Sequence, residues 1–93
     1  MTSNFDNYKR FVNTVTSTES KDSDAFIYRL QELGGSVAIQ RLLTASVGIS
    51  AESGEFMEIV KKIIFQGKPC NEDNLEHLKI ELGDIMWYVA QAC

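Results

Sequence analysis

The chain has 93 residues, 44% of them hydrophobic and 24% charged, which excludes a disordered tract and points to one small folded domain. A domain of this size buries a smaller share of its surface than a larger one, so completion by other subunits is expected. The net charge of −4 and a pI near 4.8 argue against the basic footprint that duplex nucleic acid requires, and leave room for a polyphosphate only where metal ions offset the repulsion.

The opening Met1-Thr2-Ser3-Asn4-Phe5-Asp6 has neither a basic n-region nor an apolar h-region. The longest apolar runs are broken by charge within a few residues. A cytoplasmic protein with no membrane partner is the expectation. Phe5, Tyr8, Phe11, Val12 and Val15 recur at helical spacing and predict a first amphipathic helix from about Phe5 to Thr16. Polar, turn-prone residues from Ser17 to Ser23 follow. Ala25 to Leu33 turns helical again until Gly34-Gly35 stops it, which makes this region a connection with one or two helical turns inside.

From Ser36 to about Phe65 the pattern is helical throughout, with Gly48 and Gly54 placed to bend the helix or admit a close neighbour. Gln66 to Asn71 forms a turn, in which Gly67 suits a C′ residue and Pro69 a stop. The last helix begins at Asn71 or Asp73 and runs to the end. One proline and no sustained strand-like alternation predict an all-α chain without an internal repeat or domain boundary. Cys70 and Cys93 share no CxxC spacing and have no metal-binding company, so they read as plain thiols in a reduced compartment.

Two pairs of acids carry the chemistry: Glu52-x-x-Glu55 in one long helix and Glu81-x-x-Asp84 in the next. Residues three apart project as neighbours from one helix face, so each pair can bind a cation together. On a projection advancing about 100° per residue, Ile49, Phe56, Val60, Ile63 and Ile64 share an arc with Glu52 at its edge. Leu78, Leu82, Ile85, Met86 and Val89 form a second arc, with Glu81 at its edge and Asp84 about 60° beyond. Packed through these faces, the helices would bring four carboxylates together. Such a group repels itself unless protonated or bound to a hard divalent ion, Mg²⁺ or Mn²⁺. Bound ions of this kind would screen a phosphate chain and activate a water for hydrolysis of a phosphoanhydride. The plain alternative is a solvated acidic surface.

Lys62 projects near Glu55 and is expected to steady a triphosphate, while Lys61 points elsewhere and Glu58 is a peripheral ligand or a surface residue. His77 lies one turn before Glu81 on the same stripe, where it touches substrate or only solvent. Trp87, Tyr88, Tyr8 and Phe11 offer rings for a base, with core or subunit packing as the commoner use. Arg41 and Lys79 read as surface charges.

The segments Gly48-Ile49-Ser50-Ala51-Glu52-Ser53-Gly54-Glu55-Phe56, Glu58-Ile59-Val60-Lys61-Lys62 and Glu81-Leu82-Gly83-Asp84-Ile85-Met86-Trp87-Tyr88 resemble the ExxE and ExxD signature of MazG-like nucleotide pyrophosphohydrolases. The 25 residues between Glu55 and Glu81 suit the family's variable spacer, and Tyr8 to Val12 looks like its first helix. Within the family the chain looks most like short members carried by bacteriophages, especially those of cyanobacteria, which would place it in the host cytoplasm. The resemblance implies a MazG-like helical bundle completed by oligomerisation into a homodimer or homotetramer. It implies that Glu52, Glu55, Glu81 and Asp84 form the catalytic Mg²⁺ site, with Lys62 beside the phosphates. Water would attack the α-phosphorus of a (d)NTP and release (d)NMP and pyrophosphate, with dGTP and GTP to be tried first and dUTP and ppGpp as rivals.

Two departures stand out. The family's frequent double-acid start is Ala51-Glu52 here. MazG-like chains also continue past the ExxD helix into one bearing Asn, Lys or Arg, whereas the last residue here is Cys93, so that part of the site is expected from elsewhere or from a longer chain. The competing reading is a non-catalytic helical dimerisation or nucleotide-binding module.

Overall fold

The computed structural model describes residues 3–93, and its elements are all helical: α1 (Asn4–Val15), α2 (Thr18–Lys21), α3 (Ser23–Gly34), α4 (Ile39–Phe65) and α5 (Glu72–Ala92). Met1 and Thr2, the start of the N-terminal segment read above, lie outside the described residues. The expected all-α fold is present, and among the described residues there is no strand. No described helix is long and apolar enough to cross a membrane.

Local chemistry sets the boundaries. Ser3 opens α1 with a capping box, its hydroxyl accepting from the Asp6 amide at 3.0 Å while the Asp6 carboxylate accepts from the Ser3 amide at 3.4 Å. The Lys21 ammonium donates at 3.0 Å to the Asn13 carbonyl, which also accepts from the Thr16 amide at 3.4 Å at the end of α1. Asp22 closes the single turn of α2 in an extended conformation and caps α3, accepting from the Ala25 amide at 3.1 Å. Because that cap lies upstream of Ala25, α3 reaches 12 residues rather than the one or two turns expected.

The chain divides into two compact units, one ending at Val37 and one spanning Ala38–Cys93. In the first, α2 packs against α3. In the second, α4 and α5 form a helical hairpin that holds the core and the acids. Gly67 takes a φ of 72°, and the amides of Gln66 and Lys68 both donate to the Lys62 carbonyl, at 3.0 and 3.1 Å. That left-handed residue turns the chain without a Cβ penalty. Asn71 then caps α5 by accepting from the Asn74 amide at 3.0 Å.

The seam of the hairpin is legible in burial. Along α4 it runs through Ala45, Gly48, Glu52, Phe56, Ile59 and Ile63, and along α5 through Leu78, Glu81, Ile85 and Tyr88. Steps of three and four residues are those of helices packed side by side. Glu52 and Glu81 therefore occupy the seam itself, not the edge where an apolar projection places them. Ile64 and Met86, assigned to the apolar arcs, are 64% and 71% exposed. The projection erred because it let apolar residues alone define the inward face.

Candidate functional site

Glu52 and Glu55 come from successive turns of α4 and Glu81 from the facing turn of α5. One carboxylate oxygen from each lies within 4.8 Å of the others. Glu81 is 6% exposed and Glu52 half-buried. The Oε2 atoms of both are shut off from water and have no hydrogen-bond partner. An orphaned carboxylate oxygen is costly to bury, so two on acids of one cluster require a proton or a cation.

The electrostatics agree. The Glu52 carboxyl is pushed up to about 7, first by a hydrogen bond with Glu81, then by removal from water and by Glu55. Two carboxyls can share such a bond only if one keeps its proton. A divalent cation would replace that proton. The donors are all carboxylate oxygens, which suits a hard ion such as Mg²⁺ or Mn²⁺, so these residues fit the metal implied by the resemblance.

Three of the four expected acids are brought together. Asp84, one turn beyond Glu81, is exposed and outside the cluster; its side chain is a methylene shorter than that of Glu. Lys62 lies on the surface, its ammonium 3.8 Å from a Glu58 oxygen, and Lys61 stands 3.3 Å from the other. Glu58 is thus a surface residue that pairs with lysines.

Two relationships were not drawn from the sequence. His77 Nε2 stands 3.3 Å from Glu81 Oε1, an i,i+4 contact that their spacing on one stripe signals. Gly48 packs under the Tyr88 ring so closely that a Cβ would overlap it. Trp87 meets Tyr88 edge to face, with ring centroids 5.1 Å apart. An apolar groove lined by Leu43, Thr44, Val47, Gly48, Ala51 and Tyr88 precedes the acids along α4. Cys70 and Cys93 are free and exposed.

A 70-residue stretch, 74% of the chain, is 39% identical to the Gene 37 protein of Mycobacterium phage L5. The match spans 60% of that relative's length. No family model matches the sequence and no solved structure matches it.

Proposed function

We propose that this chain is a Mg²⁺-dependent nucleoside triphosphate pyrophosphohydrolase that converts a (d)NTP to (d)NMP and pyrophosphate. The observation that carries the reading is the convergence of Glu52, Glu55 and Glu81 from two helices with two buried, unpartnered oxygens among them. A surface cluster of acids would be solvated, whereas Glu52 and Glu81 lie in a helix seam, with the exposed Glu55 beside them. The resemblance to MazG-like sequences supplies the reaction, and similarity to a phage protein is in keeping with a phage-borne member working in the host cytoplasm.

Glu52, Glu55 and Glu81 would hold the ion, with Asp84 joining them from the next turn of α5. When bound, the ion supplies charge neutralisation at the phosphates and a more acidic water. The carboxylates would hold the ion and orient that water, and one of them, ionised, would serve as its base. Oxygen from water would bond to the α-phosphorus as a cluster carboxylate takes its proton, the bond to the bridging oxygen would break, and pyrophosphate would carry away the electron pair. Lys62, if it exchanges Glu58 for the phosphates, adds a point charge on that side. Large exposed side chains on the hairpin, among them Val47, Met57, Phe65 and Trp87, support assembly into a homodimer or homotetramer.

The test is ³¹P spectroscopy of a (d)NTP panel, dGTP and GTP first, in H₂¹⁸O with Mg²⁺ or EDTA. The reading expects NMP and pyrophosphate, the label in the NMP, and no reaction with EDTA. NDP and orthophosphate, or label in pyrophosphate, would contradict it. The same exposed apolar surface favours a second reading, a dimerisation module, which expects no saturable Mg²⁺ binding and no product from any nucleotide.

A further inference from the structure

His77 is the one imidazole in the chain, and its Nε2 reaches the only strongly buried acid of the hairpin. The Glu81 side chain is 8% exposed against 51% for His77, so the contact links a solvent-facing ring to a carboxylate inside the seam. The two Glu81 oxygens have different surroundings. Oε1 stands 3.3 Å from His77 Nε2, while Oε2 is buried without a partner.

We propose that His77 is a positioning residue, its Nε2–H donating to Glu81 Oε1 and so turning Oε2 toward the cation site. The inference rests on the metal reading above and adds a residue to it. A carboxylate on a single helix can rotate about its terminal bond, and a donor at one oxygen selects the rotamer that presents the other. Neither Glu52 nor Glu55 has an imidazole, ammonium or guanidinium paired with it among the described residues. Glu81 would thus be the oriented ligand, with the α4 pair closing on it. His77 needs no contact with substrate for this, and the i,i+4 spacing on α5 holds it in reach whatever is bound.

The test is Mn²⁺ binding alone, followed by electron paramagnetic resonance, for the full chain and for His77→Ala and His77→Gln at one pH. Thermal unfolding of each is measured in EDTA. Partners behind a metal ligand are typically worth about 10- to 100-fold in affinity, so His77→Ala is expected to weaken Mn²⁺ about 10-fold. His77→Gln, which keeps an amide donor, is expected to recover most of that, and all three metal-free proteins are expected to melt together. Unchanged affinity in His77→Ala, no recovery in His77→Gln, or a loss of affinity matched by a lower melting point would each overturn the role of His77. No Mn²⁺ binding by the unsubstituted chain would instead overturn the metal reading beneath it.

Discussion

Gly48 of α4 lies directly beneath the Tyr88 ring of α5, at a distance no Cβ could share. The ring belongs to the same face as Glu81, two turns along, so this close approach helps set the helix separation at which the acids meet. Gly48→Ala gains up to about 1 kcal/mol of helix propensity. It also forces the ring or the helices apart, an overpacking cost of about 1–3 kcal/mol. The expected outcome is a net loss of stability in urea unfolding, relieved when Tyr88→Leu is combined with it.

Acidity is the second lever. Glu52 moves from its ordinary value of 4.5 up to about 7, so the folded chain holds a proton that the unfolded chain releases between those values. The stability from that proton is complete below 4.5 and is lost as pH rises through about 7. Metal-free protein should therefore melt at a lower temperature above neutrality than near pH 5 as far as this group decides, and Glu52→Gln should flatten the slope. Mg²⁺ binding should strengthen across the same interval, because the ion must displace the proton. Calorimetric scans with EDTA and with Mg²⁺ check both signs.

Much of this hairpin was legible in the sequence, for local reasons. Gly67, Pro69 and Asn71 mark the turn and the start of α5, and their chemistry acts within a few residues. The spacing of Glu52, Glu55 and Glu81 marked the cluster. The seam was not legible. Ile59 is buried while Ile64 is exposed, and the acids sit where an apolar pattern would have placed Leu. Which face turns inward depends on the partner helix, here on Gly48 admitting Tyr88, and a single-helix projection has no term for that. The position of Asp84 outside the cluster follows from side-chain length and rotamer, which i,i+3 spacing does not report.

The cap of α5 gives a prediction independent of any metal. Asn71 satisfies the Asn74 amide, and Glu72 and Asp73 lie in the positive first turn. Asn71→Ala should cost about 1 kcal/mol, read as a lower urea midpoint with an unchanged slope.

Removing the buried acid should separate stability from function. Glu81→Gln removes the carboxyl whose hydrogen bond, and to a lesser extent whose charge, raises the Glu52 value, and should make metal-free protein more stable above neutrality. It should also abolish saturable Mn²⁺ binding. A loss of both stability and binding would point instead to a structural role for the carboxylate.

The most direct test of the central claim is the rate of pyrophosphate release from the best (d)NTP with Mg²⁺, comparing the chain with Glu55→Gln, Glu81→Gln, Asp84→Asn and the surface control Glu58→Gln. A bound ion is worth several kcal/mol of transition-state stabilisation, so each ligand substitution should slow release by about 100-fold or more, with Glu58→Gln close to unchanged. Release that survives Glu55→Gln and Glu81→Gln, or no release from any nucleotide by the unsubstituted chain, would contradict the account.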